Sequence, residues 1–396
     1  MKEITLRLAA TTAAIWLPAV VCTMPATVVS QQKPAAPFHC EKRTVASEPP
    51  RALLPERRLL GGKTQKLEPA RRLEPVCPAG EVAVGNPHSE GYFHKGNPML
   101  SSYAAPGPEH ALPGKFVNSN LMLPFDQVYW KRDSTPTRPV PKAVKGSGDP
   151  PCNGIAWYGA CYFYASAGEN IVADGGGMTL QIEKPVVDDS GGGGHSIGEI
   201  AVDGFGNPGA GLNDVEIGFS VAPDQWGDND PHLFVYHWNN GNETCYDFCN
   251  WFPLSNTYYA GMDLSSLVGQ QVYVGWVYYK GAWWAWFNDQ WLGFIPDSAW
   301  DIPFTQAFNI QWYGEVASNN GIPPQTQMGD GLLPTFATAA AMSTLCDVDS
   351  KAWVCTVRDL QGAGATQVNY YNIVNHSSFG AVRYGGPIAI EGILNP

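Results

Sequence analysis

Short stretches in which apolar and polar side chains alternate recur between residues 150 and 390, and two of them set a glutamate against an unbroken apolar row. In Asp214 to Val221, the side chains of Val215, Ile217, Phe219 and Val221 share one face, and Asp214, Glu216, Gly218 and Ser220 share the other. In Phe308 to Val316 the same period of two sends Phe308, Ile310, Trp312 and Val316 inward and sets Asn309, Gln311, Tyr313 and Glu315 on the opposite face. Glu216 and Glu315 are therefore expected on the polar side of a sheet, facing away from the core. Two carboxylates on one such face are the minimum equipment for general acid and base work.

Further short runs predict the remaining strands: Trp157 to Ala165, Met178 to Ile182, Ile197 to Val202, His232 to Trp238, Val272 to Tyr279, Trp283 to Phe287, Trp291 to Ile295 and Ala381 to Tyr384. Lys280 with Gly281, and Asn288 to Gln290, supply hairpin turns between the aromatic strands. Gly, Asn, Asp and Pro punctuate the runs, as in an antiparallel sandwich or barrel. No long amphipathic helix is legible, so a βαβ architecture has no support. The glycine runs Gly175 to Gly177 and Gly191 to Gly194 read as loops; neither is followed by Lys-Ser/Thr or opens a helix, which excludes a phosphate cradle. The expectation is an all-β, two-sheet antiparallel sandwich over residues 146–396, preceded by a largely irregular segment.

Charge divides the chain at the same place. Residues 1–150 hold 19 Lys and Arg against 12 Asp and Glu, a balance of +7, whereas residues 151–396 hold 5 against 24, a balance of −19. So acidic a downstream part is a poor partner for nucleic acid or an anionic membrane. Twelve of the 14 tryptophans also lie downstream of residue 150, where they can build an aromatic core. The upstream stretch is rich in Pro, Arg and small polar residues, and Thr135 to Pro151 is a proline-stiffened linker. At the N-terminus, Lys2 and Arg7 precede an apolar run from Leu8 to Val21 that is too short to span a bilayer. It reads as a secretory signal over residues 1–30, leaving residues 31–145 as a pro-region and linker and placing the protein outside the cell or in a periplasm.

Loss of that signal removes Cys22 and leaves eight cysteines, an even number that favours disulfides in an exported chain. Proximity in the chain suggests Cys152 with Cys161, Cys245 with Cys249 and Cys346 with Cys355, with Cys40 and Cys77 left to pair upstream. Gly194 to Gly198 spells the nucleophile-elbow pattern G-x-S-x-G around Ser196, but an elbow needs a strand before it and a helix after it. Here a glycine run precedes and the strand-like Glu199 to Gly204 follows, so the structural reading is preferred. No H-E-x-x-H or paired cysteine–histidine spacing points to a metal, and no cofactor motif is present. Asp224, Asp228 and Asp230 are expected in a solvated turn.

The stretch from Asp214 to Trp238, the pattern Gly281, Trp283, Trp284, Phe287, Leu292, Gly293, Phe294, Pro296, then Ile310 to Val316, Thr326 to Gly331 and Arg383 to Pro387 occur in the order seen in the neprosin family. Over roughly residues 150–390 the chain resembles a neprosin-type glutamic endopeptidase. That resemblance implies a two-sheet sandwich, catalytic roles for Glu216 and Glu315, and cleavage after proline; two nearby carboxylates cannot both ionise cheaply, so the enzyme is expected to be most active in acid. It also implies that Ser196 is no nucleophile. Gln311 stands where many members have a further glutamate. Tyr313, Gln311 and Gln327 are candidates to orient or stabilise the tetrahedral state, and Trp226 and Trp238 are candidates, as exposed aromatics, to receive a proline ring. The expected partners are proline-containing peptides and, as an intramolecular inhibitor, the basic pro-region, with the enzyme a monomer. A carbohydrate-active sandwich, either a glycosidase with two carboxylates or a lectin-like binder with aromatic platforms, is the rival class.

Overall fold

The computed structural model describes residues 37–43, 50, 56–58, 64–66, 71–86, 155–157, 160–189, 194–205, 213–240, 242–244, 247, 249–318, 325–351, 354–357, 360, 362–365, 370–376 and 380–387. Four strands come first: β1 (Phe38–Lys42), β2 (Glu56–Arg58), β3 (Thr64–Lys66) and β4 (Glu81–Gly85). Then follow β5 (Ile155–Trp157), β6 (Ala160–Ala173), β7 (Gly175–Gln181), β8 (His195–Gly204), β9 (Asn213–Val221), the short helix α1 (Pro223–Trp226), β10 (His232–Asn239), β11 (Asn242–Glu243) and β12 (Phe252–Pro253). The chain continues through β13 (Gln271–Tyr278), β14 (Ala282–Phe287), β15 (Gln290–Pro296), β16 (Ala307–Ser318), β17 (Ala341–Asp349), β18 (Val354–Val357), β19 (Gly362–Ala365), β20 (Asn372–His376) and β21 (Ala381–Gly385). The strand runs expected from alternation between residues 178 and 384 are present, whereas the run expected from Trp157 to Ala165 is divided, Trp157 closing β5 and the rest lying in β6, its antiparallel partner.

The strands form two large sheets. In the first the order is β11-β10-β9-β8-β16-β6-β19, with β5 paired to β6; in the second it is β12-β15-β14-β13-β7-β17-β18-β2-β3, with β20 and β21 joined through β17. Pairing is antiparallel except between β18 and β2. Alternation places Ile200, Val202, Val215, Ile217, Phe219, Ile310, Trp312 and Val316 of the first sheet against Met178, Leu180, Val272, Val274, Trp276 and Trp283 of the second, forming one apolar core. Because neighbours on a strand point to opposite faces, Trp284 and Trp286 leave that core and join Trp291, Phe294, Cys346 and Cys355 in a second apolar cluster on the other side of β14.

Gly175 to Gly177 corrects the loop expectation: these glycines open β7 inside the second sheet. A Cβ on Gly176 would stand 2.8 Å from the Ile310 side chain, and one on Gly177 would stand 1.9 Å from the Tyr273 hydroxyl. Glycine is needed there because other atoms already fill the side-chain positions, not because the backbone turns. The hairpin turns are as expected, with Lys280 and Gly281 at φ 47° and 82° and Asn288 at φ 53°.

The upstream segment contributes four strands that periodicity did not reveal. β1 pairs with β4, Cys40 is bonded to Cys77, and the amides of Val76 and Cys77 both donate to the Asn256 carbonyl. Ala83 donates its amide to Ser255, Arg72 pairs with Asp289, and the Trp291 indole donates to the Pro50 carbonyl. Those of these contacts that leave the upstream segment are made to the second sheet and its connections. The proline-rich linker, the apolar N-terminal run and the residues around both lie outside the described residues. Cys346 is bonded to Cys355, as expected. Cys161 and Cys249 are also disulfide-bonded, and their expected partners Cys152 and Cys245 lie outside the described residues. No helix among the described residues is long and apolar enough to cross a membrane.

Candidate active site

Strands β10, β9, β8 and β16 lie side by side, and their register fixes which side chains share the face turned away from the core. Trp238, Asp214, Asp203 and Asn309 form one row across the sheet. Tyr236, Glu216, Ala201 and Gln311 form the next. Phe234, Gly218, Glu199 and Tyr313 follow, and then His232, Ser220, Ile197 and Glu315. Glu216 and Glu315 therefore do share one face, as alternation predicts. Alternation does not reveal that this face is buried as well: Glu216 is 3% exposed, Glu315 1% and Glu199 2%.

Glu199 is the diagonal neighbour of Glu216 on one side and of Glu315 on the other, roughly 7–8 Å from each at the backbone and somewhat less at Cβ. The outer two glutamates thus straddle it, about twice that distance apart at the backbone. Gly218 lets the strands close up beside it, since a Cβ there would meet the Gly198 carbonyl oxygen at 2.0 Å and the Glu199 Cβ at 2.9 Å.

The glutamates have different surroundings. Glu216 Oε1 accepts a hydrogen bond from Trp238 Nε1 at 3.2 Å. Burial, followed by the charges of Glu199 and Glu315, pushes the Glu216 carboxyl well above the usual range, against the bonds from Asp214 and Trp238. Asp214 is raised in the same way, by burial and by its Asp203 and Glu216 neighbours. Glu199 is raised by burial and by the charge of Glu315, while the Tyr313 hydroxyl works against the rise. Glu315 instead faces a base: His195 Nε2 lies 2.8 Å from Glu315 Oε1, with both side chains buried. The Tyr164 hydroxyl also faces Glu315, and burial with that charge pushes the phenol well up.

Of the other expected site residues, Tyr313 lies within this acidic group, 6.1 Å ring to ring from Tyr164, and burial with the surrounding carboxylates raises its phenol. Gln311 shares the face, and its amide donates to Asp203 Oδ2 at 2.8 Å. Gln327 is not brought to the glutamates: its Oε1 accepts from the Val186 amide at 2.9 Å and pins two loops together. Trp226 and Trp238 are not exposed aromatics. Trp238 turns its indole inward to reach Glu216, and Trp226 lies flat on the His232 ring at 4.7 Å. Ser196 is fully buried on the core face, opposite Val221 and Val316, while the adjacent His195 points to the acidic face. That arrangement, with a strand following, is no nucleophile elbow. No cluster of His, Cys, Asp or Glu among the described residues could hold a metal ion.

His195 and Glu199 are the two site residues that periodicity passed over. The alternation of Glu199 and Asp203 against Ile200 and Val202 was available, but Ile197 and Ala201 interrupt the polar row.

Among solved structures, the chain overlaps a prokaryotic β-1,3-1,4-glucanase (lichenase) derived from a mouse hindgut metagenome at 12% identity and TM-score 0.25, covering 43% of this chain and 77% of that one. It overlaps the carbohydrate-binding module CBM66 from Bacillus subtilis at 11% identity and TM-score 0.21, covering 40% and 78%. Overlaps this slight leave the reading of the site to its own residues. The model of the Neprosin family matches residues 193–387, a stretch that contains His195, Glu199, Glu216, Tyr313 and Glu315. The resemblance carried by the ordered sequence motifs is thereby borne out: residues 193–387 are a neprosin domain.

Proposed function

We propose that this domain is a glutamic endopeptidase that hydrolyses peptide bonds with an activated water, Glu315 serving as the base and Glu216 as the acid. The neprosin match supports a peptidase in general terms. The observation that carries the finer assignment is the unequal surroundings of the two glutamates. Glu216 sits among other acids, where a proton is retained, and Glu315 sits against an imidazole nitrogen, a contact suited to a carboxylate.

In this mechanism Glu315 takes a proton from the water as its oxygen attacks the scissile carbonyl carbon. Protonated Glu216 donates a hydrogen bond to the developing oxyanion. When the C–N bond breaks, Glu216 gives its proton to the leaving amine, and the proton taken from water by Glu315 then passes to Glu216, which restores the starting state. Tyr313 lies between the pair and can support the tetrahedral intermediate. Preference for cleavage after proline is carried over from the family resemblance.

We further infer that the protein is exported and made as a zymogen. The disulfides Cys40–Cys77 and Cys346–Cys355 suit an oxidising compartment. The +7 upstream half, joined by a proline-rich linker to a −19 half, suits an inhibitory segment that the enzyme cuts away itself.

A lectin-like binder needs aromatic platforms at its surface. The exposed large hydrophobics among the described residues are Val172, Val186, Phe205, Phe252, Val268 and Phe336, with no tryptophan or tyrosine. The experiment that tests the proposal gives acid-treated full-length protein a panel of peptides with and without proline, read by mass spectrometry, beside a reducing-sugar assay on β-glucans. Peptide cuts following proline with no sugar released support it. Sugar release without peptide cleavage overturns it.

A further inference from the structure

The acidic face contains a carboxyl that the two-glutamate mechanism does not use. Glu199 is 2% exposed and sits on the line between Glu216 and Glu315, fixed there by the pairing of β8 with β9 and with β16. One side of its carboxyl is engaged by Tyr313, and its Oε2 has no hydrogen-bond partner among the described residues. A buried carboxyl with an unmatched oxygen costs stability and is uncommon unless function retains it. Its position in the sheet also makes it the one residue diagonal to both working glutamates.

We propose that Glu199 is the third working carboxyl of this site: standing between Glu216 and Glu315, it is the positioning residue that fixes which of the two carries the proton. This rests on the two-glutamate reading and deepens it. Glu315 is tied to His195 at the far end of the row, so at the centre of the group the penalty for a further negative charge falls on Glu199 and Glu216 together. A charge on one holds the proton on the other.

The groups that share this environment are fixed by the register. On its own strand Glu199 is followed by Asp203 and preceded by His195; on β9 it stands opposite Gly218, with Glu216 diagonal to it and Asp214 beyond, opposite Asp203. On β16 it faces Tyr313 and Glu315, with Tyr162 and Tyr164 beyond them on β6. Of the charges acting on Glu216, that of Glu199 is the foremost. Converting Glu199 to an uncharged isostere therefore loosens the Glu216 proton, and activity that needs this proton is lost at a lower pH.

The test is a pH profile of kcat/KM for cleavage of a proline-containing peptide by the full chain, activated as the wild type is. Glu199→Gln, Glu199→Asp, Glu216→Gln and Glu315→Gln are measured alongside it, each checked for folding by thermal melting. Scaled to its own maximum, the alkaline limb of Glu199→Gln is expected to move about one pH unit to the acid side, with Glu199→Asp moving it back toward wild type. A limb left in place in Glu199→Gln, while Glu216→Gln and Glu315→Gln are inactive, overturns the role of Glu199 alone. Wild-type cleavage by Glu216→Gln and Glu315→Gln overturns the two-glutamate mechanism itself.

Discussion

His195 Nε2 stands 2.8 Å from Glu315 Oε1, and the two side chains are almost wholly buried in the sheet face opposite the apolar core. They come together because β8 and β16 pair with Ile197 opposite Glu315, which puts His195 diagonal to that glutamate. The contact sets Glu315 apart from the other carboxyls of the group. His195→Phe keeps a ring of similar bulk and removes the nitrogen. It is expected to lower kcat/KM about 100-fold and to lower the melting temperature, because Glu315 loses a donor inside the fold. Wild-type kinetics in a folded His195→Phe protein would show that Glu315 works without it.

On the other glutamate, Trp238 donates its indole N–H to Glu216 and packs edge-on against Tyr236 at 5.5 Å. That hydrogen bond opposes the upward shift of the Glu216 carboxyl. Trp238→Phe keeps an aromatic ring but loses the donor, at a cost of about 1 kcal/mol. The Glu216 proton is then held to higher pH, so the alkaline limb of kcat/KM moves up, the opposite sense to Glu199→Gln. A limb that moves down in Trp238→Phe would contradict the assignment of Glu216 as the acid.

Stability should also fall as pH rises. Burial and the charge of Asp330 raise Glu183 from 4.5 to about 7, and burial with a bond to Asp224 raises Asp189 from 3.8 to about 6. Burial also raises Glu199, Glu216, Asp214 and Asp247. A group whose carboxyl is raised by folding binds more protons folded than unfolded, so its contribution is whole below the unfolded value and is lost as pH climbs through the folded one. The melting temperature is expected to decline between about pH 4 and pH 7. A melting temperature that is flat or rising over that interval would contradict the burial of these acids.

Gly177→Ala tests the packing between the sheets. The Tyr273 hydroxyl occupies the place of the missing Cβ and lies 3.8 and 3.7 Å from the sulfurs of Cys346 and Cys355. With the disulfide on one side, the ring has little room to withdraw, and a loss of about 3 kcal/mol is expected in denaturant unfolding. A neutral substitution would mean that Tyr273 moves freely.

The strands were legible because one of their two faces is the apolar core, and a period of two is all that such a face requires. Glu216 and Glu315 stood out for the same reason. Alternation separates faces but does not say whether the second is covered, so the burial of both glutamates, and of Trp226 and Trp238, was not readable. Glu199 was masked by Ile197 and Ala201, apolar residues on its own side of β8. Gln327 lay near a recognised motif, but its partner, Val186, comes from a distant loop that no local pattern announces. Gly175 to Gly177 look like a loop in sequence because their role is set by Ile310 and Tyr273, far away along the chain. The upstream strands are three to five residues long and are held by Ser255, Asn256 and β18, so they carry too little periodicity of their own.

The proposed joint action of Glu216 and Glu315 on a peptide bond is tested most directly by single-turnover cleavage of one proline-containing peptide by wild type, Glu216→Gln and Glu315→Gln at the acid optimum. Cleavage by the wild type and a loss of at least about 1,000-fold in each folded variant are expected, since each variant lacks a proton-transfer group that water replaces poorly. Cleavage by either variant at a rate near that of the wild type would contradict it.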